Sequence, residues 1–301
     1  MNATRQLFVV VYARCCFQCS MTSNLIQHII KGWLFEDILL EFYRYAPCPP
    51  EWLPEHCHDE YQFCLSLDCP GEYYYRGTHY WVPTGSLSVI HPGEMHTGRD
   101  IEDRQTAATF RMLYISPDTV KLAASEVAEC EMDAPFIPEA IVLNADLVQR
   151  FLDFHRASQG SASRLEQDAL LLSLLAQLVV NHADTTVELR PIGREREAIR
   201  RVREYLQENY SEDITLNRLA QVAQLSSYYL SRVFHAEVGI TLREYQLQVR
   251  IDRAKSLLAS GMTARQVAAE TGFVDQGHLT RFFKRLVQTT PGSYHLRDQQ
   301  I

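Results

Sequence analysis

Apolar and polar positions change period along the chain. From about residue 38 to 116 the period is two: Tyr61, Phe63, Leu65 and Leu67 alternate with Gln62, Cys64, Ser66 and Asp68, and Ala108, Phe110, Met112 and Tyr114 continue the pattern. Period two sends successive side chains to opposite faces of a strand. Pro70-Gly71, Arg76-Gly77-Thr78, Pro83-Thr84-Gly85 and Pro92-Gly93 punctuate the run, supplying turns between short strands. A small antiparallel barrel or sandwich is predicted. Over 144–157 and 163–182 the spacing turns helical, through Leu147, Phe151 and Phe154, then Leu165, Leu172, Leu175 and Val179. Asn144 and Ser163 are placed as N-caps, and Glu166 completes a capping box with Ser163. Leucines and valines cover more than one face of the second helix, which predicts burial on two sides. One side covers the barrel; the other meets either the chain's own core or a second subunit. The polar stretch 184–193, with Pro191 and Gly193, is a linker.

Past the linker a repeat emerges. Ala220 and Leu225 match Ala268 and Phe273 at an offset of 48; Leu230, Arg232, Phe234, Thr241 and Tyr245 match Leu279, Arg281, Phe283, Thr290 and Tyr294 at 49. Each copy parses as helix, tight turn, helix. Thr215 and Ser226 cap the helices of the first copy, and Thr263 (with Gln266) and Asp275 those of the second. Gly272 takes the left-handed position that ends a helix, where the first copy has Gln224. Two short helices on such a turn form a helix-turn-helix, whose second helix enters a DNA major groove. Between the copies a longer helix, 241–260, opens on a Thr241/Glu244 box. At 1.5 Å per residue it spans roughly 27 Å, near the ~34 Å between successive major grooves on one face of DNA.

Composition sharpens this division. The 301 residues are 46% hydrophobic and 22% charged, with net charge −8, which excludes collagen-like, disordered and disulfide-framework classes. The charge is uneven: residues 1–189 carry −13 and residues 190–301 carry +5. An acidic module is joined to one suited to nucleic acid. The apolar stretches are too short for a membrane span, so no membrane partner is expected. All eight cysteines precede residue 131; they are expected as reduced thiols of a cytoplasmic protein. Cys15-Cys16-x-x-Cys19 lacks a fourth metal ligand at a recognisable spacing. Residues 1–31 fit poorly with the rest of the chain. Arg5 and the run Leu7–Ala13 mimic a short signal peptide without a cleavage site, and the expectation is a disordered extension or a start assigned too far upstream, with Met21 as alternative.

Within the strand-rich region His56-Cys57-His58 places two imidazoles on one face of a strand, and Gly85-x5-His91-Pro92-Gly93-x-x-His96 comes after it. This pattern resembles the cupins over roughly residues 50–115. Gly85, Gly93 and His96 match; His91 replaces the motif's proline, and Gln62 and Phe63 stand where its glutamate would be. Three imidazoles suit a divalent metal, but the missing carboxylate and a shortage of nearby acids beyond Asp59 and Glu60 favour an organic ligand and no metal or other cofactor. His56, His58, Tyr61, Tyr73, Trp81 and His96 are the expected ligand-site residues, drawn partly from the aromatic cluster Tyr73, Tyr74, Tyr75, Tyr80 and Trp81.

The C-terminal motifs Leu219-Ala220-x-x-Ala223, Ser226-x-x-x-Leu230-x-Arg232-x-Phe234, Arg250-x-x-x-Ala254-x-x-Leu257-Leu258, Val267-Ala268-x-x-x-Gly272-Phe273, Leu279-x-Arg281-x-Phe283-Lys284 and Thr290-Pro291-x-x-Tyr294 resemble the DNA-binding domain of the AraC/XylS regulators over about 194–296. Gln288 and Gly277 depart from the usual residues there. The resemblance implies an α+β multidomain chain: an extension (1–31), a cupin-like antiparallel β-barrel (32–140), a helical dimerisation segment (141–185), a linker (186–193), and an all-α domain with two helix-turn-helix units joined by a linker helix (194–301). It implies a homodimeric transcription regulator that binds promoter DNA under control of a small-molecule effector, with RNA polymerase as a further partner. Tyr228, Ser231, Arg232 and His235 of the first recognition helix, and Gln276, His278, Thr280 and Arg281 of the second, are expected to face DNA; Thr263, Lys284 and Arg285 are expected on phosphates. The competing readings are a metal-dependent cupin enzyme and a DNA-bending protein without an effector.

Overall fold

The computed structural model describes residues 8–10, 29–47, 52–101, 105–160 and 162–297. Among the described residues the strands, numbered in chain order, are β1 Phe8–Val10, β2 Ile29–Phe35, β3 Ile38–Tyr45, β4 Tyr61–Ser66, β5 Gly71–Tyr75, β6 Thr78–Val82, β7 Leu87–Ile90, β8 His96–Asp100, β9 Ala108–Ile115 and β10 Ile141–Val142. The helices are α1 Pro117–Ala128, α2 Ala145–Gln159, α3 Arg164–His182, α4 Arg196–Glu208, α5 Leu216–Ala223, α6 Ser227–Val238, α7 Leu242–Ala259, α8 Ala264–Glu270, α9 Gln276–Val287 and α10 Pro291–Arg297. None is long and apolar enough to cross a membrane. Two compact units result: residues 1–159 with 173–188, and residues 160–172 with 189–301.

In the first unit a seven-stranded antiparallel sheet, ordered β1-β2-β3-β9-β4-β7-β10, faces a three-stranded one, β6-β5-β8. The alternation anticipated in β4 and β9 assigns each face its job. Trp33, Phe35, Leu40, Phe63, Leu65 and Leu113 form the buried apolar side, where Phe35 meets Phe154 edge-on and Trp33 Nε1 donates to Ser158 Oγ at 2.9 Å, both partners on α2. The opposite side turns toward the small sheet. The hairpin between β5 and β6 uses Arg76 and Gly77, both at positive φ, the conformation a two-residue hairpin turn requires.

The structure corrects one expectation. Phe8–Val10 and Ile29–Lys31 are strand residues: β1 pairs with β2 from Phe8↔Gly32 to Val10↔Ile30, so the N-terminal segment supplies an edge to the sheet. The signal-like run beyond Val10, Cys15-Cys16-x-x-Cys19 and Met21 lie outside the described residues. Helix α3 contributes to both units: Leu174, Leu175, Leu178 and Val179 are buried in the first and Leu165 in the second. Helix α1 adds an element that periodicity does not reveal, although Ser116 caps it and Pro117 starts it, a legible start signal. Cys57, Cys64 and Cys130 are free thiols.

Candidate nucleic-acid interface and ligand site

In the second unit each helix-turn-helix has its own core. Leu219, Ala220, Leu230, Val233 and Phe234 belong to the first, and Val267, Ala268, Phe273, Leu279 and Phe283 to the second. Helix α7 serves both: Leu242 and Tyr245 pack into the first core, and Leu247, Ile251, Ala254 and Leu258 into the second. The anticipated caps are all made. The side chains of Thr215, Ser226, Thr241, Thr263 and Asp275 each accept from the backbone N–H three residues on, with full capping boxes at Thr241/Glu244 and Thr263/Gln266. Gln224 and Gln288 adopt the left-handed cap conformation at φ 59° without being glycine.

Burial of Leu230, Val233 and Phe234 turns the rest of α6 outward. The Arg232 guanidinium lies 5.5 Å from the Tyr228 ring and donates to the Arg190 carbonyl at 3.0 Å. Ser231 donates its hydroxyl to the Ser227 carbonyl, and His235 is exposed. On α9, Gln276, Arg281 and Lys284 are exposed, and Thr280 bonds back to the Gln276 carbonyl. Thr263 is exposed at the start of α8. His278 is placed differently from its neighbours. Its ring packs edge-on against Phe282 at 4.8 Å and Phe273 at 5.4 Å, its Nδ1 accepts from the Val274 N–H, and burial holds its pKa below the usual histidine value. It braces the turn before α9.

Two arginines that sequence patterns leave without a role, Arg250 buried and Arg201 half-buried, brace the helix-turn-helix units. Arg250 on α7 is buried, and its guanidinium donates to the carbonyls of Tyr210 at 2.6 Å, Glu212 at 2.9 Å and Gly272 at 2.8 Å. The loop before α5 is thereby tied to the turn of the second helix-turn-helix. Burial lowers Arg250 to about 10, still fully charged at neutral pH. Arg201 on α4 performs the matching task in the first helix-turn-helix, donating to the Val222 and Ala223 carbonyls. Arg201 and Arg250 are 49 apart, so the repeat extends one helix further back than the sequence motifs suggest. Gly272 lies at φ +74°, and a Cβ there would sit 2.3 Å from the Ser211 carbonyl oxygen.

In the first unit, the face of the large sheet turned toward the small one is polar. Register places Glu41, Met112, Cys64 and Ser88 in one cross-strand row and Tyr114 beside Gln62 in the next. Tyr73, from β5, hydrogen-bonds with Cys64 and Ser88; burial drives its phenol far above the usual range. Tyr43 donates to Glu41, whose carboxyl is raised by burial.

At one end stand His56, His58 and His96, with ring centroids 4.3 Å (His56–His96), 5.0 Å (His58–His96) and 6.3 Å (His56–His58) apart. His56 is exposed, His58 half-buried and His96 buried. Each Nδ1 faces a main-chain carbonyl: Pro54 at 2.9 Å, Glu60 at 2.7 Å and Glu94 at 3.0 Å. A carbonyl only accepts, so each Nδ1 carries a proton, and a ring in its neutral form presents its Nε2 lone pair. His58 Nε2 faces the Gln62 side-chain amide at 3.2 Å, which requires that amide to present its NH2 there. His96 Nε2 is buried with no hydrogen-bond partner. Burial, reinforced by the neighbouring imidazoles, pushes His96 down to about 4 and keeps it neutral.

These carbonyls orient the three rings, a role for which the sequence offers only Asp59 and Glu60 as nearby acids. The three histidines are thus the residues that would face a cation, yet no group of three or more His, Cys, Asp or Glu among the described residues is arranged to hold one. Of the other expected ligand residues, Tyr73 joins the trio, its ring 6.5 Å from His96. Tyr61 and Trp81 do not. Tyr61 precedes Gln62 and therefore faces the other side of the sheet, where its hydroxyl donates to the Pro135 carbonyl at 2.8 Å. Trp81 is 56% exposed. His91 is bound into the core by the main chain of Ile137.

Residues 219–297 match the helix-turn-helix domain family and residues 39–175 the AraC-like ligand-binding domain. The chain is 30% identical to the HTH-type transcriptional regulator YbfI of Bacillus subtilis (strain 168), over 86% of this chain and 89% of that protein. This chain belongs to the AraC family of transcriptional regulators. The AraC-family regulator is also 24% identical to the HTH-type transcriptional activator RhaS of Pectobacterium atrosepticum, over 81% of its own length and 88% of that protein. It combines an N-terminal ligand-binding domain with a C-terminal helix-turn-helix DNA-binding domain, and its family is one of transcriptional regulators.

Proposed function

We propose that α6 and α9 enter successive major grooves of promoter DNA in the cytoplasm, and that a small molecule seated on the polar sheet face controls this binding. Arg232 and Arg281 read bases, with Tyr228, Gln276 and Thr280 beside them; Lys284, Thr263 and His235 contact the backbone. Ser231 and His278 support the reading helices from within, as their intramolecular bonds suggest. A homodimer reading paired half-sites and contacting RNA polymerase completes the scheme, with the helical segment 141–185 as its dimerisation element.

The observation that carries the effector reading is the His56–His58–His96 trio. The Nε2 lone pairs of His56 and His96 accept from O–H or N–H groups, and the Glu41 carboxyl on the same polar sheet face disfavours an anion. The effector is accordingly an uncharged molecule rich in hydrogen-bond donors, and the protein carries no resident metal. Thermal-shift titration of the full chain with neutral polyols and amides against matched carboxylates tests this. Stabilisation by a neutral compound, lost in His96→Phe, is expected; stabilisation by carboxylates alone, or stoichiometric metal lost in His58→Ala, refutes it.

A further inference from the structure

The second unit contains a short piece of sequence from before the linker. Residues 160–172 pack with it: Leu165 is fully buried in the first helix-turn-helix core, with Ala169 and Leu172 against it. Arg164 N–H donates to Asp213, and Asp168 accepts from the Leu216 N–H at the start of α5. With that segment clamped on the first helix-turn-helix, Glu166 reaches the second. Its carboxylate meets Arg243 Nε at 2.8 Å, with both side chains largely covered. The charges of Arg281 and Arg285 on α9 act on the same carboxylate, and it also accepts from the Ser163 backbone.

The three guanidiniums share one platform. Arg285, Arg281 and Arg243 lie 4.6, 5.1 and 5.8 Å from the Phe282 ring. Three cations around a single ring repel one another unless an anion lies among them, and Glu166 is that anion. It is partly desolvated, and burial raises its carboxyl pKa in spite of the arginines. Arg281 and Arg285 belong to the helix assigned to DNA, so the carboxylate occupies electrostatically the place a phosphate takes on binding.

We propose that Glu166 is a built-in phosphate surrogate, a positioning residue that holds the Arg243/Arg281/Arg285 cluster in the free protein and competes with DNA for it. This rests on the assignment of α9 to DNA. Removing the carboxylate charge releases one guanidinium for one phosphate. With log K changing by about 0.9 per phosphate per decade of salt, affinity at 0.1 M salt rises about eightfold and the salt slope steepens by about 0.9. The gain is shared by specific and random sequences, because phosphate contacts carry no sequence information.

The experiment measures full-chain binding to duplex DNA by fluorescence anisotropy from 50 to 200 mM salt. Glu166→Gln should bind about eightfold tighter with the steeper slope. Glu166→Asp, which keeps the charge, should restore wild-type behaviour, and Glu166→Gln with Arg243→Gln should lose the gain. Glu197→Gln, removing an exposed α4 carboxylate paired to Arg200, is the control and should not reproduce the effect. Should Glu166→Gln fail to fold, Glu166→Met serves with the same expectation. A folded, charge-free variant that binds no tighter than wild type, with an unchanged slope, overturns the proposal while leaving the DNA assignment standing. Wild-type protein that shows no salt-dependent binding overturns both.

Discussion

Single side chains carry three separable roles. Arg232→Ala and Arg281→Ala are each expected to cost about 1–3 kcal/mol on a specific site and to relax discrimination at different base positions. Lys284→Ala should weaken all sequences alike, a contrast that competition binding with mutated operators measures. Arg250 is structural: truncation to Met leaves the carbonyls of Tyr210, Glu212 and Gly272 without their buried donor. At roughly 1–3 kcal/mol per stranded buried polar group, a loss of about 3 kcal/mol or more is expected in urea unfolding of the second unit. The third role is a pH response. His155 accepts from Arg111 at its Nδ1 and donates from Nε2 to the Glu41 carbonyl, and burial, reinforced by the Arg111 charge, pushes it down to about 3. His96 is held at about 4 by burial. Both are neutral when folded and take up a proton near 6.5 when unfolded. Their contribution is therefore complete above about pH 6.5 and is lost as pH falls toward the folded values. Each contributes up to about 1.4 kcal/mol per pH unit of destabilisation in that window. His155→Gln should flatten the first unit's stability–pH curve between pH 6.5 and 4, measured by its unfolding midpoint.

Element by element, what is legible in sequence is what local chemistry encodes. Caps are readable because one side chain satisfies one backbone donor three residues away, and every Ser, Thr, Asn or Asp cap named from sequence accepts that bond. Period two locates β4 and β9 for the same reason. What adjacent residues cannot disclose is which face looks where. Sequence places Tyr61 in the ligand site and leaves Gln62 out, yet their alternation means that only one of them can face the small sheet. His278 has the exposed, polar look of a base reader, but Phe273, from the turn before α9, and Phe282, one helical turn on, claim its ring. Gly272 is a case where both levels agree. The turn needs its positive φ, and the Ser211 backbone excludes a side chain. Gly272→Ala should therefore cost more than the roughly 1 kcal/mol of left-handed strain alone. Gly277→Ala, at an exposed position near the start of α9, should change stability little, and paired thermal melts compare the two.

For the whole molecule, the division suggested by composition differs from the division in packing. Charge changes sign near residue 190, and the polar stretch 184–193 looks like the joint. The compact units instead part within α3, between Leu172 and Ser173, and again after Glu188. Periodicity could not show this, since α3 is apolar on more than one face along its length and nothing in that pattern says which core receives which turn. The consequence concerns what constitutes the DNA-binding domain. A fragment of residues 190–301 keeps both helix-turn-helix units but strips Leu165 from the first core and removes the bond from Asp168 to the start of α5. Losing one fully buried leucine is worth about 1.5–3 kcal/mol by transfer alone, and the lost partner of the Leu216 N–H adds to it. A fragment of residues 160–301 should therefore unfold at a distinctly higher urea concentration, by about 3 kcal/mol. On DNA the order should reverse: the shorter fragment lacks Glu166 and should bind more tightly, molecule for folded molecule. Equal stability of the two fragments would show that residues 160–172 do not pack as the structure places them.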